Sequence, residues 1–382
     1  ALINMYAKCG DLAKAQQSLE EIPEPNVVSW NALISGYLQH GRSHKALSCF
    51  KRMQMQCLFP NIVTFTCILK ACGMAKAIGN GKRIHGDILN RRFLGNDIVL
   101  GNALVDMYAK CGMLSKAQQV LDELPIRSIV SWSSVIAGYT QAGEGHEALN
   151  CFERMQSEGL SPDAIILTSI LKACGQTESI DKGKQIHDEI VGRGLLKKDV
   201  ALGNALVDMY GKCGMLEKAQ KVFAELQARD TISWNALISG YARQGQVYEA
   251  LECLEKMQKE GFSPDAVTLV LVSQACGNSG AIDKGKQIHD KIVKTDLLKS
   301  NHVLGTALID MYAKCGFLSK ARELFEELPT RNLVTWNTLL SGLVQHGQDY
   351  EALNCFQELQ NEGLSPNLTT FTWIVKACGN TR

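Results

Sequence analysis

An all-α fold, a right-handed superhelical solenoid of helix-turn-helix repeats, is what this sequence predicts, and three observations carry the prediction. Landmarks return at one interval: Trp30, Trp132, Trp234 and Trp336 stand 102 residues apart, three times the ~34 residues of a common helix-turn-helix repeat. Within each interval apolar residues follow the helical period and are interrupted by glycine or proline. No stretch alternates as a strand does.

Turn signals divide the interval into pieces of 35, 36 and 31 residues: 27–61, 62–97 and 98–128, then 129–163, 164–199 and 200–230, then 231–265, 266–301 and 302–332. A fourth set opens with 333–367 and breaks off in 368–382, and a partial piece fills 1–26. In the 31-residue piece Ala103, Leu104, Met107, Tyr108 and Cys111 line one helical face, closed by Cys111-Gly112. A second face follows in Leu114, Ala117, Val120, Leu121 and Leu124 and stops at Pro125, which cannot continue a helix. Helices this short do not bury their stripes alone, so neighbouring pieces must stack. Ten complete pieces at roughly 8–10 Å per helix layer predict a curved rod about 100 Å long, a shape suited to extended partners.

Composition narrows the function. Lysine plus arginine number 40 against 39 aspartate plus glutamate, so any site for a polyanion is a local stripe and not a global field. Twelve of the 14 cysteines fall in three columns spaced by the same interval, led by Cys9, Cys49 and Cys72, and none forms C-x-x-C; they are expected to be small packing residues. No apolar run approaches the ~20 residues that span a bilayer, and no signal peptide is seen.

The piece from Val27 to Asn61 nearly fits the tetratricopeptide pattern through Trp30, Leu33, Tyr37, Ala46, Phe50 and Pro60, which would make the chain a peptide-binding scaffold. Two features oppose that alternative: the lengths cycle, and the fifth residue of each complete piece is Asn, Ser or Thr in all but one. With SWNALISGY, KACG, GKQIH and DMYAKCG recurring in fixed order, the sequence resembles the pentatricopeptide repeat family over its whole length. It looks like the plant organellar subclass with long and short motifs.

The resemblance implies binding of single-stranded RNA, one base per repeat, in a protein that directs cytidine-to-uridine editing in chloroplasts or mitochondria. It implies that the fifth and last residues of each motif read the base. The pairs are Asn31 with Asn61, Asn102 with Ser128, Ser133 with Asp163, Asn204 with Asp230, Asn235 with Asp265, Thr306 with Asn332 and Asn337 with Asn367. The 36-residue motifs follow the rule poorly in the family; they offer Thr66 with Asp97, Thr168 with Asp199, and Val270 with Asn301. An acceptor-only aspartate suits the ring N–H of U or G, and an asparagine that can also donate suits C or A. The implied track, first motif to last, is C/U-x-C-G-x-U-U-x-A-C/U.

By the same resemblance the second residues Val28, Val99, Val130, Ile232, Val303 and Val334 would sandwich bases, against the alternative that they are core valines. Lys110, Lys212 and Lys314, with Lys8 before them, lie two turns beyond the reading column and could meet phosphates or remain solvated. Small accessory editing proteins are expected to dock on the 36-residue motifs. No cofactor, metal or catalytic residue is expected. His187-Asp188-Glu189 spells half of a zinc deaminase signature, but P-C-x-x-C is absent. Gly81-Lys82 and Gly183-Lys184 lack the rest of a phosphate loop.

Overall fold

Why each motif opens as it does is visible at its helix starts. In this computed structural model, which describes residues 1–91, 93–95, 97–293 and 301–380, the first helix of every complete motif begins one residue after an Asn, Asp or Ser. That residue stands in extended backbone where it is assigned as the cap, and its side chain accepts from first-turn amides. Such caps satisfy donors a helix start would otherwise leave bare. Residues 92, 96, 294–300 and 381–382, within the predicted pieces 62–97, 266–301 and 368–382, lie outside the described residues.

The described residues hold no strand, and the all-α expectation is met. The helices fall into two compact units, Ala1–Thr177 and Glu178–Arg382. The first unit contains α1 Leu2–Lys8, α2 Leu12–Glu20, α3 Val27–Gln39, α4 Ser43–Met55, α5 Ile62–Met74, α6 Ile78–Asn90, α7 Ile98–Lys110, α8 Leu114–Glu123, α9 Ile129–Ala142, α10 Gly145–Ser157 and α11 Ala164–Thr177. The second contains α12 Ile180–Gly192, α13 Val200–Lys212, α14 Leu216–Glu225, α15 Thr231–Arg243, α16 Val247–Lys259, α17 Ala266–Ser279, α18 Ile282–Val293, α19 His302–Lys314, α20 Leu318–Glu327, α21 Leu333–Gln345, α22 Asp349–Asn361 and α23 Leu368–Asn380.

Odd-numbered helices form a row in each unit, α3 on α5 on α7 on α9 in the first and α13 on α15 on α17 on α19 in the second. Within each unit, even-numbered helices lean on their odd-numbered neighbours, as α4 does on α3 and α5. The turn after α7 needs Gly112 in the left-handed region at φ 74, where a side chain would be strained. Close approach needs another glycine: a Cβ added to Gly342 on α21 would stand 2.5 Å from the Ala313 Cβ on α19.

The four tryptophans that recur at the 102-residue interval are buried in the interior. Three indole N–H groups are satisfied on the following even helix or its cap: Trp30 donates to Gln56 at 3.0 Å, Trp132 to Glu158 at 3.1 Å and Trp336 to Glu362 at 3.1 Å. Trp234 Nε1 is the one buried side-chain polar atom without a partner among the described residues.

The cysteine columns divide. Cys49, Cys151, Cys253 and Cys355 are buried, as are Cys72, Cys174 and Cys276, and burial pushes the Cys72 and Cys151 thiols up to about 12. Cys9 and Cys378 are exposed, and Cys111, Cys213 and Cys315 lie part-buried at helix ends, so packing does not account for every cysteine.

Candidate nucleic-acid interface

In five motifs the cap residue has a second engagement, and it is with the fifth residue of the motif before. Asn31 donates its amide N–H to Asn61 Oδ1 at 3.1 Å, Asn204 to Asp230 at 3.1 Å, Asn235 to Asp265 at 3.2 Å and Asn337 to Asn367 at 3.2 Å. The same Oδ1 atoms accept the N3 amides, as Asp230 does from Ser233 N–H at 2.7 Å. One atom therefore starts a helix and ties two motifs, and neither Oδ2 of Asp nor Nδ2 of Asn takes part in these bonds.

At Asp230, burial pulls the carboxyl upward, but hydrogen bonds from the Ser233 backbone and hydroxyl and from Asn204 outweigh it and hold the group below the ordinary carboxylate value. Asp265 is depressed in the same way, with burial opposing and Thr268 and Asn235 prevailing. Both are ionised acceptors at neutral pH.

The remaining pairs differ. Ser128 donates to Asn102 Oδ1 at 2.9 Å. Thr306 sits 3.0 Å from the Thr335 hydroxyl, which donates to Asn332 at 3.1 Å. No hydrogen bond joins Ser133 to Asp163 or Thr66 to Asp97. Thr66 donates to its own helix at Ile62 O, 2.9 Å away, and Thr168 does so to Ala164 O at 2.8 Å. Asp163, Asp97, Asp199 and Asn301 cap their helices, and Val270 has no polar atom to offer.

Second residues stand in solvent beside these pairs. Val28, Val99, Val130, Ile232, Val303 and Val334 are 52 to 71 % exposed, so the core-valine alternative does not hold. Val63, Ile165 and Val267 belong to the same exposed column; their place as the second residue of a motif was the signal available for them in the sequence. A single isolated apolar residue on a surface is ordinary, but a row of them repeated motif after motif is not. Between α17, α19 and α21 the two rows enclose a cavity of about 340 Å³, lined by Thr306 and Asn332 together with Val270, Val303 and Val334.

The lysines are engaged. Lys110 pairs with Asp106 at 2.7 Å, Lys212 with Asp208 at 2.6 Å and Lys314 with Asp310 at 2.7 Å, each one turn back on its own helix. Lys8 is exposed, with Asn4 one turn back. The histidine column is structural: His85, His187 and His289 each place Nδ1 2.9 Å from the hydroxyl of Tyr108, Tyr210 and Tyr312. Burial lowers the pKa of all three histidines. No group of three metal-ligating side chains is present among the described residues, and no described helix is long and apolar enough to cross a membrane.

Comparison with known proteins places this arrangement among relatives. A model described as the PPR repeat family matches residues 25–74, 127–176, 229–278 and 331–380, more than half of the chain, and one described as the PPR repeat matches 102–129, 204–230 and 306–333. A pentatricopeptide repeat-containing protein of Arabidopsis thaliana is 37% identical over 380 residues, which is 100% of this chain and 55% of that protein. A chloroplastic one from the same plant is 37% identical over 380 residues (100% and 61%), and a mitochondrial one 34% over 381 (100% and 55%). The chain thus spans little more than half the length of these curated relatives. Among solved structures, the crystal structure of PPR10 in complex with an 18-nt psaJ RNA element aligns with a TM-score of 0.74 at 19% identity, covering 98% of this chain and 56% of that one; this likeness is one of fold.

Proposed function

This chain belongs to the pentatricopeptide repeat family, and on that premise we propose that it binds single-stranded RNA in a sequence-specific way, one base per motif. The observation that carries the reading is the junction of Asn204 with Asp230, and of Asn235 with Asp265, beside an exposed apolar second residue. Asn204 gives one amide N–H to Asp230 and accepts the Ser233 hydroxyl at 2.6 Å. Its second N–H is left for a ligand. A pyrimidine O2 accepts such a donor, whereas adenine presents C2–H there and guanine a competing N2–H. The free oxygen of the ionised aspartate then takes the N3–H of uracil, which cytosine lacks. Asn61 and Asn367, with an amide in that place, favour C.

Two adjacent U readers sit within the track C/U-x-C-G-x-U-U-x-A-C/U, the x positions belonging to the 36-residue motifs. The exposed second residues flank each base, and Lys110, Lys212 and Lys314 meet phosphates by exchanging their aspartate partners. Motif lengths cycling through 35, 36 and 31 support the long-and-short subclass, and with it a role as the targeting part of an organellar C-to-U editing factor, the chemistry lying outside this chain. Organelle-named relatives support the location in chloroplast or mitochondrion. Leu89, Val191 and Val293, exposed at one register on α6, α12 and α18, support docking of small accessory proteins on the 36-residue motifs.

Fluorescence anisotropy tests the reading with two RNAs, one carrying the track and one with its central UU changed to GG. Binding of the first at least about tenfold tighter is expected, since good base contacts are worth ~1–3 kcal/mol each. Equal or absent binding of both would return the chain to the class of peptide scaffolds.

A further inference from the structure

We infer that base reading takes a third residue, a buried hydroxyl at the third position of the following motif, which sets the orientation of the preceding fifth-position asparagine. This rests on the reading of bases by the fifth and last residues. Thr64 donates to Asn31 Oδ1 at 2.8 Å, Ser233 to Asn204 at 2.6 Å, Thr268 to Asn235 at 2.7 Å and Thr370 to Asn337 at 2.8 Å. All four hydroxyl-bearing residues are completely buried. Buried in this way, they are themselves out of direct reach of RNA.

A hydroxyl has one proton to give and an amide has two distinguishable ends. Each hydroxyl accepts the cap residue's own backbone N–H, as Thr268 does from Asp265 at 3.2 Å. Its proton has two acceptors within reach, the cap Oδ1 at 2.9–3.0 Å and the asparagine oxygen at 2.6–2.8 Å, and the asparagine oxygen is the nearer in every pair. That bond pins Oδ1 inward, so Nδ2 alone can face the cap carboxylate and the base. Without it the amide can turn over, and an oxygen facing the base would repel pyrimidine O2 and lose the distinction from guanine. Leaving the buried amide oxygen unpaired also carries the penalty of an unsatisfied acceptor.

The pattern within the chain agrees. Where the following third residue is Ser or Thr, the fifth residue is Asn in five motifs and Thr306 in the sixth; at one of the five, Asn102, the bond comes from the Ser128 hydroxyl at 2.9 Å, while Ser131 donates to Ser128 O. Four complete motifs are followed instead by Leu100, Ile166, Leu202 or Leu304, and their fifth residues are Thr66, Ser133, Thr168 and Val270. None is asparagine. Three of the four are the 36-residue motifs, so the break in the code there has a physical origin: a leucine where the clamp needs a hydroxyl.

The test measures base preference with the full chain at the position facing Asn235 and Asp265, using four RNAs that differ there alone. The wild type is expected to prefer U by about tenfold or more. Thr268→Val should bring that preference down to about threefold or less, Thr268→Ser should keep it, and U preference at the preceding Asn204–Asp230 position should persist in both. That intact neighbour separates lost orientation from lost folding. Full U preference in Thr268→Val overturns the inference. A wild type without preference at either position overturns the base reading itself, and this inference with it. A gain-of-function arm stands apart from folding losses at Thr268: Ser133→Asn with Ile166→Thr should move the preference facing Asp163 to U, and Ser133→Asn alone should not. If the single change performs as well as the pair, the hydroxyl has no role.

Discussion

Asp230 shows how much rests on one side chain. It caps α15 through Ser233 N–H at 2.7 Å and holds Asn204 at 3.1 Å, and on the proposed reading it also offers its other carboxylate oxygen to a base. Asp230→Asn should move the preference at that position from U toward C by about tenfold. The same change should leave thermal stability within ~0.5 kcal/mol, since Asn and Asp are near-equal caps, whereas Asp230→Ala should lower stability by ~0.5–2 kcal/mol; RNA titrations and thermal melts read the two effects separately. Ile232, 64% exposed, belongs to the other row. Ile232→Ala should weaken all RNAs alike without altering U over C or the melting temperature. At this scale the sequence was legible in part. The column of free letters marked where the proposed specificity would sit, but the hydrogen bonds from Asn204 to Asp230 and from Ser233 to Asn204 join residues 26 to 29 apart, and such pairings emerge only when motifs stack. Nor could a valine at a helix start be assigned to surface or core before the row of first helices was built.

Between elements, spacing is fixed by what little lies on the contact line. Gly342 of α21 meets Ala313 of α19, and a Cβ added to its counterpart Gly240 would stand 3.0 Å from Gly211 Cα. Gly342→Ala should destabilise by ~1–3 kcal/mol through overpacking, read as a lowered midpoint in denaturant with an unchanged slope. The glycine stood in the repeated SGY or SGL of the sequence, yet nothing there distinguished a helix-interior glycine kept for packing from one merely tolerated. The histidine–tyrosine links predict a pH dependence. His85, His187 and His289 are held below the ordinary value of 6.5 by burial, so the unfolded chain takes up protons first. Stability is therefore fully present above about pH 6.5 and is lost as pH falls through the lowered folded values. Melts from pH 7.5 to 5.5 should show the decline, and replacing the three histidines with glutamine should flatten it. The sequence reading set aside the deaminase half-signature at His187; that its ring faces Tyr210 at 2.9 Å required the neighbouring motif.

For the molecule as a whole, charge is nearly balanced at +1, and the lysines nearest the reading row already have acidic partners. Binding should accordingly depend only mildly on salt: three phosphate contacts at a slope of about −0.7 each for single strands give about −2 in log affinity against log salt, and removing Lys212 should reduce that slope by one such step. The repeat architecture was open to sequence reading because a 102-residue interval with helical periodicity admits few other folds; the exposure of its second residues was not, since periodicity alone assigns apolar residues to the interior. One feature reaches further. Because the residue proposed to read is also the residue that caps, the letters open to it are Asn, Asp and Ser, which serve helix starts almost equally well. A lineage can therefore exchange them, and so change the transcript it recognises, while its folding equilibrium stays level. Target choice can drift under selection from the genome while the scaffold pays almost nothing, and a motif trapped with a poor capping letter would be lost to folding before its specificity was ever tried.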